Sequence, residues 1–532
     1  MKYSLWKNPW ILAEGVDCSY KYSLLNVLGK AHEIHRLDQA NPLIEVAVFR
    51  LLLAIVIDAM GHLKSNDWRN RWEQGCFNID EIDRYARKVE DRFDLLDTSA
   101  PFYQVGGLST PSGKTGSTLL LLPEIASGNN VPLFSSMTES SSPKLSLDEA
   151  VGRLLAIQAF DTAGIKTGAT TDPQMKAGKT TGNPVGILGQ IGTTIPYGRN
   201  LFESLMLNQP LKLNEDDLPV WRKPPPSASW ETRRATGILD SLTWQSRRIR
   251  LVPDNEEDPQ SIVGVIVAAG DRMQEINPAH EPHTAWRTTD MKRGAAPHKP
   301  IRHIPGKAAW RGMDSLLAVQ DRSESAKTTA GALRDATTRI WEVDRTYPLN
   351  VRMAGVVYGN QSAVIEHTLA DSIPLPVLAL SETEEGQNIK ADLLSLATMA
   401  EEVRRALNRL TDNLRMSYGG AAIPWDKGEH QGDRLIMAID QLTRSFLTKV
   451  SRNVDELDHG FNQWQTQVRD VAWSIAEPMI IQVPSTAFNG RQKDNTSEYP
   501  LMNQARAEAV FRGELNRILL QAGKEETMKG DN

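Results

Sequence analysis

The sequence predicts an α+β chain, with a large mixed N-terminal domain followed by a C-terminal four-helix bundle. Three observations predict it. Short strand-like runs, helical stretches and glycine- or proline-rich loops alternate through the first 371 residues. Pro374 and Pro376, in Ser372-Ile373-Pro374-Leu375-Pro376, then resist both helix and central strand. Beyond them apolar residues hold helical spacing in four successive segments. The mixed domain is therefore placed at 1–371, a linker at 372–380 and the bundle at 381–532.

Taken in order, Lys7 to Leu12 reads as a short strand closed by the turn at Glu14-Gly15. From Leu43 to His62 apolar residues recur at helical spacing behind the start signal Asn41-Pro42. Glu45, Arg50 and Asp58 interrupt that stretch and leave a pure apolar run of only Leu51 to Ile57, so it reads as a buried helix and not as a membrane span. Asp80 to Leu95 is a second, charged helix, and Gly106 to Gly116 and Ser127 to Pro143 are loops. Between Thr162 and Gly198 lie Gly164, Gly168, Gly178, Gly182, Gly186, Gly189, Gly192 and Gly198, the loosest stretch of the chain. A proline-studded segment from Pro210 to Ser229 comes next, and Ile262 to Ala268 is a strand. Val351 to Val357 and Ala363 to Ile365 form two strands joined through Tyr358-Gly359-Asn360-Gln361-Ser362.

In the bundle, Ile389, Leu393, Leu396, Ala400, Val403, Leu407, Leu410 and Leu414 make one unbroken stripe. Leu435, Ile439, Leu442, Phe446 and Val450 mark the second helix, and Phe461, Trp464, Val468, Val471 and Ile475 the third. Leu501, Ala505, Leu515 and Ile518 mark the fourth.

Composition narrows the function classes. Of 532 residues 40% are apolar and 24% charged, and 60 Lys and Arg against 66 Asp and Glu leave a net charge of -6. A protein gripping nucleic acid with its whole surface is excluded. Two cysteines, Cys18 and Cys76, exclude a disulfide framework and a four-cysteine zinc site, and point to a reducing cytoplasmic setting. Met1 to Val16 lack the order of a signal peptide.

Gly113-Lys114-Thr115 and Gly178-Lys179-Thr180 each supply the end of a phosphate loop, but Leu108 and Pro173 stand where its first glycine belongs. His280, His283, His298 and His303 cluster with no carboxylate-rich motif beside them, a pattern that fits solvated loop histidines better than a metal site. No Gly-x-Ser-x-Gly elbow and no paired carboxylates stand out, so nothing requires an enzyme. A nucleotide- or metal-dependent nucleic-acid-processing enzyme, built on Lys114, Lys179 or the histidines, is the alternative. From Thr284 to Gly312, Arg287, Lys292, Arg293, Lys299, Arg302, Lys307 and Arg311 face only Asp290, with Trp286 and Trp310 interleaved. That stretch suits phosphates, or acidic surface elsewhere in the protein.

Several pieces occur in a telling order: Asn8-Pro9-Trp10-Ile11, Asn41-Pro42-Leu43 through Leu53, Ser127-Gly128 before Phe134, and Thr193-Thr194 with Leu201 to Asn208. Leu242-Thr243-Trp244-Gln245, Tyr358-Gly359-Asn360-Gln361 and the helical C-terminus complete the series. In this order, over nearly the whole chain, the sequence resembles the CasA family, the large subunit of the type I-E CRISPR Cascade surveillance complex. The resemblance implies a non-catalytic subunit that recognises the protospacer-adjacent motif in double-stranded DNA through the minor groove. It also implies that the subunit wedges the strands apart to start R-loop formation and helps recruit the helicase-nuclease. Implied partners are other Cascade subunits, the guide RNA and target DNA, with no membrane.

The family's glutamine wedge corresponds to Gln361 with Asn360, and its lysine finger to Lys292 with Arg293 beside it. Its glycine loop falls within Gly178 to Gly186, making Lys179 a phosphate contact and Gly182 the point of close approach, with Asn183 beside them. Its first loop, touching the guide and a neighbouring subunit, falls on Asn129, Asn130 and Phe134. Relatives that hold a cysteine zinc site do so after the Trp-Gln signature, where Arg250 to Ile266 has no cysteine; no metal and no cofactor are expected.

Overall fold

The computed structural model describes residues 2–125, 137, 141–288, 298–318, 327–424, 426–491 and 501–522. They divide into two compact units. One holds residues 1–307, 318–344 and 350–372, and the other holds 308–317, 345–349 and 373–532.

The first unit mixes helices with small sheets. Its central helix, Pro42–Met60, starts where the Asn41 side chain accepts from the Leu43 amide at 2.9 Å, with proline in the first turn. Every residue from Leu43 to Ile57 is buried, the two charges included. Burying a charge is tolerable only with a partner. Glu45 meets Arg352 at 2.7 Å, and Arg50 meets Glu281 through two bonds of 2.7 and 2.9 Å.

The largest sheet centres on Ser261–Ala269. It pairs antiparallel with Arg247–Pro253, meets Gly164–Thr167 in parallel at Ala268, and Gly164–Thr167 pairs in turn with Lys179–Asn183. Three smaller sheets have three strands each. Ile11–Glu14 lies between Ser19–Tyr22 and Arg36–Leu37, and Trp286–Thr288 between His298–Pro300 and Lys327–Thr328. Pro348–Tyr358 lies between Thr193–Tyr197 and Ile365–Pro376.

Several local expectations change. The first strand begins at Ile11 because the Lys7 and Asn8 amides turn back onto the Ser4 carbonyl. The charged helix is Ile79–Val89 with a short 3-10 turn after it, and Ser65–Gln74 forms a helix whose only buried residue is Trp68, too thin a stripe to signal itself. The expected loose stretch contains three strands, one of them, Thr193–Tyr197, wholly buried. Its glycines serve close approach: a Cβ at Gly186 would lie 2.4 Å from the Ala159 carbonyl oxygen. Pro374 and Pro376 do not break the chain into an irregular linker; they end a strand at the edge of its sheet, where a missing N–H costs no ladder bond.

The second unit is helical. Glu384–Ser417, Gln431–Arg452, Leu457–Ile481 and Gln504–Ile518 are its long helices, and the whole stripe from Ile389 to Leu414 is buried. Thr383 and Asn503 cap the first and last through their side-chain oxygens. In the third helix Ala472 and Ala476 are buried while Val471 and Ile475 sit at its margin. In the fourth Ala507 and Phe511 take the places expected for Leu501 and Ala505, since Leu501 precedes the helix and Ala505 faces solvent. The stretch 308–317 belongs to this unit: Trp310 is fully buried and donates to Asp440 at 2.8 Å.

Candidate nucleic-acid interface

The expected hairpin between the two long strands is present, and its tip is tighter than expected. Gln361 and Ser362 both have left-handed backbone, with φ of 53° and 56°. The Ala363 amide donates to the Asn360 carbonyl at 3.1 Å, which closes a type I′ turn. Such a turn ordinarily takes Asn-Gly; two residues with Cβ atoms there cost about 1 kcal/mol each. Asn360 and Gln361 are exposed.

The turn is bonded to a second exposed element. The Ala163 amide donates to the Ser362 carbonyl at 2.9 Å, and the next residue begins the ribbon formed by Gly164–Thr167 and Lys179–Asn183. This glycine ribbon carries a tight turn of its own. Ala177 and Gly178 are left-handed, and Lys179 donates back to the Lys176 carbonyl at 3.0 Å. Lys176 and Lys179 are both exposed at this tip. Gly178-Lys179-Thr180 is thus a turn entering a strand, with the Thr180 hydroxyl buried against Asp172, and not a phosphate loop. Gly113-Lys114-Thr115 likewise lies in a turn, and it leads only into the 3-10 segment Thr118–Leu121.

Gly182, exposed with φ of 69°, presents bare backbone. Behind it, Arg272 stacks 3.9 Å over the Trp230 ring and donates to the Thr181 carbonyl at 2.8 Å and to Asn183 Oδ1 at 3.2 Å. The Asn183 amide group donates to the Gly164 and Thr180 carbonyls. Asn183 is therefore buried, and the DNA contact expected of its side chain gives way to a role in bracing the ribbon. Farther in, Asp161 lies between Arg247 and Lys166, the latter at 2.6 Å. Burial opposes its ionisation, but the two cations hold its carboxyl below the usual range. Burial pulls the Lys166 ammonium down, against the attraction of Asp161.

The basic stretch separates into parts. Trp286 is buried, Trp310 and Arg311 belong to the helical unit, and Arg287, Lys299, Arg302 and Lys307 are exposed. Arg287 stands opposite Lys299 on one side and Lys327 on the other, a row of three cations across one sheet. Like charges placed opposite one another destabilise a ladder. Lys292 and Arg293 fall outside the described residues, as do Asn129, Asn130 and Phe134.

The histidines do not converge. His283 is buried, with Nδ1 3.2 Å from Arg50 and Nε2 3.0 Å from Asn208 Oδ1, and burial beside Arg50 pushes it down to about 3. His303 meets the Thr193 carbonyl, while His298 is exposed. Among the described residues no group of three or more His, Cys, Asp or Glu could hold a metal ion, and no helix is long and apolar enough to cross a membrane.

Sequence reasoning did not find Lys176, Lys327, Arg272 or Trp230. Lys176 had a signal in Lys-Ala-Gly-Lys, a two-residue turn between lysines. Arg272 and Trp230 are joined only by the fold.

The family model described as CRISPR-associated protein Cse1 matches residues 4–475. The CasA/Cse1 protein of Thermus thermophilus is 28% identical over 433 residues, covering 79% of each chain. The crystal structure of Thermobifida fusca Cse1 superposes with a TM-score of 0.86 at 28% identity, covering 98% of this chain and 99% of that one. A chain of a solved CRISPR RNA-guided surveillance complex shares the fold, with a TM-score of 0.68 at 20% identity over 90% of this chain and 98% of its own.

Proposed function

Since the chain belongs to the Cse1/CasA family of CRISPR-associated proteins, large subunits of CRISPR surveillance complexes, we propose that it reads the protospacer-adjacent motif in double-stranded DNA and opens the duplex beside it. Guide RNA then pairs with the freed strand, so that base pairing carries sequence specificity and the protein reads only motif and duplex shape. The subunit acts in the cytoplasm without catalysing a covalent step, and helps bring in the helicase-nuclease that degrades the target.

The parts have distinct tasks. Gly182 lays backbone against the minor groove, where a side chain would hold the duplex off. Lys176 and Lys179 take phosphates on one side, Arg287 and Lys299 take them on their own sheet, and Lys292 and Arg293 read the groove. The planar amides of Gln361 and Asn360 enter the stack, at an unstacking cost of a few kcal/mol that phosphate contacts offset. Asn129, Asn130 and Phe134 take the contacts to the guide and a neighbouring subunit.

The observation that carries this reading is the bond from the Gln361 turn to Ala163, where the glycine ribbon begins, which sets an exposed amide pair at the end of a ribbon that carries exposed glycine backbone and, at its far tip, two lysines. The test is a complex reconstituted with guide RNA and partner subunits, given motif-bearing duplex with 2-aminopurine next to the motif. Asn360→Ala with Gln361→Ala should abolish the fluorescence rise that reports unstacking. Unchanged opening by the double variant refutes the wedge.

A further inference from the structure

Tyr358 closes the strand that leads into the Gln361 turn, and its hydroxyl leaves that strand altogether. It donates to the Phe160 carbonyl at 2.6 Å. Phe160 is the last residue of the helix Leu147–Phe160, so that carbonyl has no partner within its own helix and the phenol satisfies it. The ring stands over Gly189, where a Cβ would lie 2.1 Å from the Tyr358 oxygen and 2.8 Å from the ring carbons. Glycine at 189 is thus a steric condition for the docking. Burial, with Asp161 nearby, raises the phenol far above its ordinary value, so it remains a hydrogen-bond donor at neutral pH.

A second tether lies three residues along the same segment. The Ala163 amide holds the Ser362 carbonyl at 2.9 Å, in the left-handed half of the turn. Asp161, between these two attachment points, is itself fixed by Arg247 and Lys166. Strained backbone persists only where its surroundings over-determine it, and these two bonds supply that constraint to Gln361 and Ser362.

We propose that Tyr358 is a positioning residue that locks the Gln361 turn to the segment leading into the glycine ribbon, making motif docking and strand opening the work of one rigid element. This rests on the wedge reading above. A duplex seated on Gly182 then meets the amide of Gln361 already aimed, with no search by a loose turn. Releasing the lock leaves docking intact and slows only the opening.

The experiment uses the full reconstituted complex with Tyr358→Phe, which keeps the ring and removes one donor, and Gly189→Ala, which displaces the ring. Docking is measured on motif-bearing duplex that does not match the guide, and opening by 2-aminopurine on matched duplex. For both variants docking stays within twofold of the parent while opening slows three- to tenfold. Duplex already mismatched beside the motif restores the parental rate. Opening at the parental rate overturns the proposal, as does a fall in docking equal to the fall in opening, or a defect that mismatched duplex does not repair. The Asn360→Ala, Gln361→Ala double variant runs in parallel. If it opens duplex normally the wedge reading has failed, whereas if it alone is defective the lock has failed.

Discussion

Replacing Arg50 by Met leaves the central helix apolar and helical but strips a buried carboxylate of its counter-charge. The Arg50 and Glu281 side chains are 3% and 0% exposed, and two bonds of 2.7 and 2.9 Å join them. After the substitution Glu281 keeps only the His283 amide at 3.0 Å and the Ser241 hydroxyl at 3.2 Å. Breaking a buried pair from one side costs roughly 3–5 kcal/mol, so Arg50→Met should destabilise the first unit by that amount at pH 7. Adding Glu281→Gln removes the orphaned charge and should recover about half of the loss. Burial alone would raise the Glu281 carboxyl, but Arg50 holds it below the usual range. Its stabilising contribution is therefore complete above the unfolded value of about 4.3 and is lost as pH falls through the lower folded one. Without Arg50, burial prevails and the carboxyl binds a proton above its unfolded value. Acidification from about pH 7 to about pH 5 then favours the folded variant, and the gap to the parent narrows. Hydrogen exchange of Pro42–Met60 in urea measures this without requiring both units to unfold together. A loss below about 1 kcal/mol at neutral pH, or a gap that stays constant on acidification, would refute the reasoning.

Gln361→Gly should stabilise the turn by about 1 kcal/mol, read as slower amide exchange at Ala363, while abolishing opening; faster exchange would show that the turn is unstrained. Arg272→Ala should cost about 1–2 kcal/mol locally and speed exchange across Lys179–Asn183 several-fold, since it removes two donors and the cation over Trp230; unaltered exchange would mean that the ribbon holds itself. Arg287→Ala and Lys299→Ala should each reduce by about one the slope of log K against log salt for duplex binding, without destabilising the free subunit; an unchanged slope would remove the row from the interface.

Periodicity made the bundle helices and the central helix legible, because an apolar stripe at helical spacing has one economical solution. The stripe from Ile389 to Leu414 is buried throughout, whereas Leu501 and Ala505 misplaced the start of the last helix because the burial phase is set by Ala507 and Phe511. The glycine-rich stretch misled in the other direction. Gly186 reads as slack but exists because the chain passes within van der Waals range of Ala159. At the candidate interface the hairpin was visible at Tyr358 to Ser362, yet its two left-handed residues were not, since neither Gln nor Ser announces that conformation. Asn183 looked like a surface contact beside Lys179 and proved to be an internal brace, because the register shift in the ribbon and the left-handed Gly182 break the alternation that would have kept the two on one face. Partners such as Arg272 and Trp230 leave no local trace.

The membership of residues 308–317 in the helical unit has a consequence for how the chain is made. Trp310 leaves the ribosome 130 residues ahead of Asp440, its hydrogen-bond partner. At roughly 5–20 residues per second that interval is about 6–26 s. Throughout it, Trp310, Met313, Leu316 and Leu317, all buried in the finished molecule, have no bundle to enter. The nascent protein therefore carries an unsheltered apolar segment until the helices that cover it have been made, and the helical unit matures only after they emerge.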